Sequence, residues 1–209
     1  MRTFVAIPCM DMVQTAFMDA LLHLVPIGDV GYGITCSSLI YNARNLLAKR
    51  AVDGGFDRIL FLDSDMVFMP TLLQELSADM DEGREFVTGL AFKRKNPVTP
   101  TIYKETGYTK EGNELLPYAL PMTEYPRNSI FEVKATGLAC SMISTDLIMK
   151  VFNEFGAPFS PQPGFGEDLS FCIRCEKIGV PIYCDSRVKV GHIAQTVVTE
   201  DSYDKGVIL

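Results

Sequence analysis

Asp63-Ser64-Asp65 closes an apolar run, Phe56 to Leu62. Two carboxylates two positions apart at a strand's end leave the pleat together and can face one cation. Hard oxygen ligands of this kind suit Mg²⁺ or Mn²⁺ held jointly with a substrate's phosphates. The same tripeptide also serves as a plain surface turn. Gly166-Glu167-Asp168 sets a second acidic pair at a loop-to-helix junction, where acids also cap a helix and complement its dipole. His192 follows the last strand in Lys189-Val190-Gly191-His192, and a neutral imidazole there can complete an oxygen-rich Mn²⁺ site. The other histidine, His23, falls on the first helix and reads as an ordinary surface or core residue. Lys93-Arg94-Lys95 is either a solvated strand end or a contact for an anion. Cys172 and Cys175 form C-x-x-C with no second pair at zinc-finger spacing, so on a helix they pack inward.

These groups need elements to hold them. Thr3 to Ile7 reads as a strand stopped by Pro8, and Val13, Phe17, Ala20, Leu21 and Leu24 recur at helical spacing. A second strand lies within the glycine-punctuated stretch Gly28 to Ser38, whose glycines read as a turn. Leu39 to Val52 is a helix with Gly54-Gly55 past its end. Phe56 to Leu62 is a buried strand, Pro70 opens a helix, and Phe86 to Phe92 is a further strand. Alternating strands and helices predict an α/β fold, a mostly parallel central sheet flanked by helices. Ligands on such sheets collect at the carboxyl ends of the strands. Residues 97 to 130 read as an irregular excursion outside the core, with a hairpin around Gly112-Asn113. Phe131 to Ser144 returns to strand composition, and Thr145 to Phe155 is a helix capped by Ser144 or Thr145. Ala157 to Phe165 is a proline- and glycine-rich loop expected to hinge over substrate. A last strand spans about Val180 to Val190, followed by a polar tail.

The chain has 209 residues, enough for one sizeable domain. With 47% hydrophobic and 22% charged residues it matches neither a disordered nor a fibrous composition. Its net charge of -7 offers no global attraction for nucleic acid or an anionic membrane. The start lacks the core of a signal peptide, and no apolar run reaches the length of a membrane-spanning helix. The 6 cysteines mostly sit in apolar runs, as reduced thiols of a cytoplasmic protein do.

D-S-D ending a strand, a later Gly166-Glu167-Asp168 loop and helix, and Gly191-His192 after the last strand together resemble the GT-A-fold glycosyltransferases, especially family 2-like and β-1,4-galactosyltransferase-like enzymes. Ala43-Arg44-Asn45-Leu46, ahead of the D-S-D strand, and Thr88 to Arg94, after it, look like small glycosyltransferases of bacteria and their phages. The resemblance implies a single GT-A (nucleotide-diphospho-sugar transferase) domain over 1–209. About 1–95 would bind the nucleotide-sugar, about 96–193 would bind the acceptor and carry catalysis, and 194–209 would be a tail. It further implies a hexosyltransferase-type activity that uses Mn²⁺ or Mg²⁺ and a UDP- or GDP-sugar. The acceptor would be a glycan, lipid, protein or modified DNA base.

In such an enzyme Asp65 and His192 would contact the metal. Asp63 would touch the ribose or reach the same metal through water, and Ser64 lies between them on the donor side. Pro8, Cys9 and Asp11 would line the nucleobase. Arg44 would reach the diphosphate or support the D-S-D carboxylates, and Lys93 would contact the diphosphate. Asp168 matches the family's base, and Glu167 would hold the acceptor or share that role. Inversion follows if Asp168 acts opposite the diphosphate. The chain has no tryptophan, which many relatives place in the acceptor loop, and Phe165 or Tyr118 would stand in.

Two other readings compete. Leu62-Asp63-Ser64-Asp65 also looks like the haloacid-dehalogenase-type phosphatase motif, in which Asp63 would be the nucleophile, although that motif usually follows a first strand. A non-catalytic nucleotide- or sugar-binding module would keep the fold without needing both acidic motifs and His192.

Overall fold

The computed structural model describes residues 1–94 and 97–194, so Lys95 and residues 195–209 of the tail lie outside the described residues. In chain order the first half is β1 (Arg2–Cys9), α1 (Thr15–Leu22), β2 (Asp29–Cys36), α2 (Ile40–Asp53), β3 (Arg58–Leu62), β4 (Met66–Val67), α3 (Leu72–Asp81) and β5 (Phe86–Leu90). The second half is β6 (Ile102–Glu111), β7 (Glu114–Pro121), β8 (Ile130–Val133), β9 (Ala135–Thr136), β10 (Cys140–Ser144), α4 (Thr145–Phe155), α5 (Glu167–Lys177), β11 (Ile182–Lys189) and β12 (Gly191–His192).

The central sheet has seven strands in the order β2-β1-β3-β10-β5-β11-β8. β2, β1, β3, β5 and β11 run one way, while β10 and β8 run against them. Strands β3 and β5 are buried on both faces, which is why each reads as an unbroken apolar run. Burying Ile59, Leu60, Phe61 and Leu62 contributes about 1.5–3 kcal/mol per side chain. One face packs on α2, α4 and α5 through Leu47, Leu147, Phe171 and their neighbours. The other packs on α1 and α3 through Phe17, Leu72 and Leu76. Helices on both faces of a mainly parallel sheet make this an α/β fold, as the alternation of elements predicts.

Local chemistry explains the element ends, and three expectations need correction. Ser144 caps α4, accepting from the backbone N–H of Leu147 at 3.1 Å, and Gly156 ends it at φ +79°. Pro8 does not stop β1, which continues to Cys9. β3 pairs with β1 only over Thr3 to Ala6, so the N–H that proline lacks is not missed on that side. Of the glycines expected to make a turn, Gly28 precedes β2 at φ +68°, while Gly31 and Gly33 lie inside it, where a Cβ on Gly31 would meet the Phe56 ring at 2.4 Å and one on Gly33 the Phe4 ring at 2.4 Å. Residues 97–130 are more regular than expected. β6 and β7 form a long hairpin turning at Gly112 (φ +60°), and with β9 they make a separate three-stranded sheet that buries Ile102 and Tyr103 in the core.

Three carboxyl ends then converge on one edge. There β3 delivers Asp63-Ser64-Asp65, β5 runs on to Phe92, Lys93 and Arg94, and β11 leads into β12. β12 pairs antiparallel with β4, His192 opposite Met66, so the end of the described chain is sewn to the D-S-D turn.

Candidate active site

Asp65 and His192 meet because of that two-residue ladder and a bond from the Ile193 N–H to the Asp65 carbonyl at 2.8 Å. His192 Nε2 lies 3.4 Å from Asp65 Oδ2. Its Nδ1 lies 2.8 Å from the Phe92 carbonyl, which can only accept, so Nδ1 carries a hydrogen and donates. Nε2 is thereby aimed at a carboxylate, and only a proton or a cation between the two makes that contact favourable. With no cation, the hydrogen bond to Asp65 raises the His192 pKa in spite of burial. Burial alone would raise Asp65, but His192 and Arg94 outweigh it and hold the carboxyl below its ordinary range. Arg94 Nη1 also reaches Asp65 Oδ2 at 2.6 Å.

The donor types of this pair suit a divalent ion, which would have to displace Arg94 from the shared Asp65 Oδ2. A carboxylate oxygen and an imidazole nitrogen are a suitable donor set for Mn²⁺, and the Phe92 carbonyl orients the imidazole as outer partners of ligating histidines do. Among the described residues no three His, Cys, Asp or Glu groups are arranged as a metal site. The protein's share of such a centre would thus be Asp65 and His192, with phosphate oxygens and water completing it, the usual pattern for hard cations that carry nucleotides.

Arg44, from α2, lies under the turn at 3% exposure. Its Nη2 donates to Asp63 Oδ1 at 2.8 Å and its Nε to Glu167 Oε1 at 3.1 Å, with the guanidinium over the Phe61 ring. Of the D-S-D pair, Arg44 contacts the Asp63 carboxylate. Burial would lower its pKa, but the charges of Asp63 and Glu167 more than compensate. Its Nη1 has no hydrogen-bond partner among the described residues.

Glu167 and Asp168 open α5, with Gly166 as N-cap. Asp168 Oδ1 accepts from the N–H of Leu169 at 2.7 Å. Burial and then the Glu167 charge push the Asp168 pKa up. A Cβ on Gly166 would sit 3.0 Å from Asp168 Oδ1, so glycine keeps that carboxyl uncrowded.

Other expected site residues scatter. Pro8 and Cys9 end β1, with Cys9 Sγ 3.1 Å from Cys36 Sγ, and Asp11 is exposed beyond them. The Ser64 carbonyl accepts from Gln14 N–H at 3.2 Å. Lys93 is not brought to the acidic turn, since its Nζ lies over the Tyr103 ring at 5.0 Å. Arg94 takes the contact with Asp65 instead, and nothing in Lys93-Arg94-Lys95 singled it out. Phe165 is buried edge-on against Tyr108, and Tyr118 bonds Glu105. The aromatic left partly exposed beside the acidic loop is Tyr108, which the sequence reading passed over. The Ala157–Phe165 loop, expected to hinge, is hydrogen-bonded to its surroundings. Phe159 N–H donates to Asn45, Gln162 N–H to Ser170 Oγ, Tyr108 hydroxyl to the Pro163 carbonyl and Arg174 to the Pro158 carbonyl.

No protein-family model matches the sequence, and no curated protein matches it. Solved structures do. A197 from STIV is similar over 93% of this chain and 87% of its own, at TM-score 0.64 and 21% identity. GalNAc-T7, solved with UDP, GalNAc and Mn²⁺, is similar over 93% of this chain, at TM-score 0.64 and 12% identity. S. aureus TarS 1-349 in complex with UDP-GlcNAc is similar over 97% of this chain, at TM-score 0.59 and 14% identity. The chain spans 44% of the GalNAc-T7 chain and 61% of the TarS chain. These likenesses establish the GT-A fold.

Proposed function

We propose that this chain is a metal-dependent glycosyltransferase of family 2-like or β-1,4-galactosyltransferase-like type, moving a hexose from a UDP- or GDP-sugar to an acceptor hydroxyl. The observation that carries this reading is the facing of His192 Nε2 and Asp65 Oδ2 at 3.4 Å on the carboxyl edge of a GT-A sheet. The UDP, GalNAc and Mn²⁺ in the structure of GalNAc-T7 and the UDP-GlcNAc in that of TarS support it.

Asp65 and His192 would hold Mn²⁺ or Mg²⁺, which when bound stabilises the negative charge developing on the departing diphosphate. Pro8, Cys9 and Asp11 would line the base, and residues about 1–95 would form the donor half. Asp63, fixed by Arg44, would face the ribose. Asp168 would take the proton of the acceptor hydroxyl as it attacks C1, inverting that centre. Burial and the Glu167 charge raise its pKa, which makes the ionised carboxyl a stronger proton acceptor. Glu167, held by Arg44, would position the acceptor, with residues about 96–193 forming the acceptor half. The Arg44 contact with Asp63 Oδ1 favours this over a phosphatase, which would need Asp63 as a free nucleophile. Among the described residues no helix is long and apolar enough to cross a membrane, and the free cysteines suit a cytoplasmic setting.

A panel of nucleotide-sugars read by thermal shift, with Mn²⁺ and with chelator, tests the proposal. A metal-dependent rise for one UDP- or GDP-sugar is expected. No metal-dependent shift for any nucleotide would refute it.

A further inference from the structure

β11 leaves its ladder with β5 abruptly. Asp185 is opposite Gly89 and Lys189 opposite Leu90, so Ser186, Arg187 and Val188 bulge from the register. Such bulges are over-represented beside functional sites, where they re-aim side chains. The loop before β8 is pinned to this bulge. Ser186 N–H donates to the Ser129 carbonyl at 3.0 Å, Ser129 N–H to Ser186 Oγ at 3.1 Å, and Ser186 Oγ to the Pro126 carbonyl at 2.9 Å. Asn128 in that loop has φ +52°, among the described residues the one positive φ outside glycine.

Between bulge and loop lies a cavity of about 460 Å³, lined among others by Phe92, Tyr125, Arg127, Asn128, Ser186 and Lys189. It is large enough for a small ligand. It shares an edge with the candidate active site, because Phe92 also supplies the carbonyl that orients His192.

Its charge sets it apart. The chain carries 26 acidic against 19 basic side chains, yet this cavity's lining holds two basic side chains and no acid. Arg127 and Lys189 share this cavity, and among the described residues neither forms an ion pair or donates a side-chain hydrogen bond. The Arg127 guanidinium lies over the Tyr125 ring at 4.3 Å from its centre, and Tyr125 in turn stacks on Phe131. Stacking leaves the N–H edge of a guanidinium available, and that planar fork matches phosphate oxygens.

We infer that this cavity is an anion subsite that holds a phosphate group of the acceptor, with Arg127 and Lys189 as its ligands. The inference rests on the glycosyltransferase reading for the word acceptor, and on the cavity alone for the anion. One phosphate with its attached polyol or sugar suits the volume, whereas an extended polyanion would meet the net charge of -7.

The test is run without nucleotide. Sn-glycerol 3-phosphate is titrated calorimetrically into the full chain at constant ionic strength, and in a parallel arm phosphatidylcholine vesicles doped with phosphatidic acid are tested by co-sedimentation. Saturable binding in one arm is expected, and which arm responds tells a soluble phosphate ester from a lipid headgroup. Arg127→Gln with Lys189→Gln should weaken it by about tenfold or more. The same variant should keep the wild-type UDP and Mn²⁺ thermal shift, which shows it folded and its donor site intact. Binding in neither arm, binding that the variant retains, or binding abolished by saturating UDP with Mn²⁺ overturns the inference. Phosphate binding lost in the variant, in a chain that binds no nucleotide, would preserve the subsite while removing the transferase reading.

Discussion

Arg44 touches Glu167 across 123 positions of chain, Nε to Oε1 at 3.1 Å, while its other edge holds Asp63. One buried guanidinium therefore joins the acidic turn after β3 to the acidic start of α5.

Replacing Arg44 by Ala strands both carboxylates, and removing one partner of a buried ion pair costs about 3 kcal/mol or more. Arg44→Lys keeps the charge but not the fork that serves two acids, so it should recover only part of that loss. Urea unfolding of the three proteins measures this, and equal stability of wild type and Arg44→Ala would refute the bridging role.

Asp65→Asn and His192→Ala each remove one proposed metal contact. Nucleotide affinity, its Mn²⁺ dependence and turnover should fall together in both. Calorimetry of UDP with and without Mn²⁺ decides it, since a variant that loses turnover but keeps metal-dependent binding would assign the lost residue another role.

Asp168→Asn preserves the shape and an oxygen to accept from the Leu169 N–H, while removing the proton acceptor. Transfer should drop by about 10² to 10⁴ with nucleotide and metal binding unchanged. Only the ionised carboxyl can act as base, so the wild-type rate should rise with pH through an apparent pKa above the ordinary aspartate value, as burial and Glu167 dictate. Near-normal turnover of the variant would remove Asp168 as base.

Beryllium fluoride with Mg²⁺ should leave Asp63 unmodified, because the transferase reading makes Asp63 a ligand-facing group held by Arg44 and not a nucleophile. Intact mass and peptide mapping check this. An aspartyl adduct at Asp63 would restore the phosphatase reading.

Stability should also depend on pH through a pair remote from the site. Asp79 on α3 and Asp185 on β11 are both buried, and both accept from Arg187 Nη2, at 2.9 and 2.7 Å. Burial, then the hydrogen bond and charge of Asp185, push Asp79 up to about 7, while Arg187 and Asp79 hold Asp185 below its ordinary value. The folded chain thus keeps a proton on Asp79 that the unfolded chain releases near pH 3.9, about the reference value. The stabilisation from Asp79 is fully present below that pH and is lost as pH rises through about 7. The opposite contribution of Asp185 is present above its unfolded pKa and lost only in stronger acid. Asp79→Asn should flatten the decline in unfolding free energy between the two Asp79 values, and an unchanged slope would argue against a shared proton.

Much of this arrangement is legible in the chain because single residues announce it. Fully buried strands such as β3 read as apolar runs, and the acids after them stand out by contrast. Ser144 and Gly156 mark α4 by their chemistry alone. What escaped reading depends on partners distant in sequence. Gly31 and Gly33 lie in a strand paired with β1, and the Phe56 and Phe4 rings fill the space a Cβ there would need. The length of the β6–β7 hairpin is hidden because much of its surface faces solvent, so its apolar pattern is weak. The bond between Arg44 and Glu167, the turning of Lys93 to Tyr103 and the choice of Arg94 by Asp65 are tertiary facts with no local signature.

The two-residue ladder of β12 with β4 has a consequence for biosynthesis. β12 is the last strand among the described residues, and it brings His192 to an acidic turn made early in translation. The sheet can gather its first strands while the ribosome is still at work, since domains begin folding during synthesis, but Asp65 meets His192 only after residue 193 has left the exit tunnel. A chain stalled or clipped before Gly191 would keep β1, β3 and β5 and the Arg44 bridge, yet lack half of the proposed metal-holding pair.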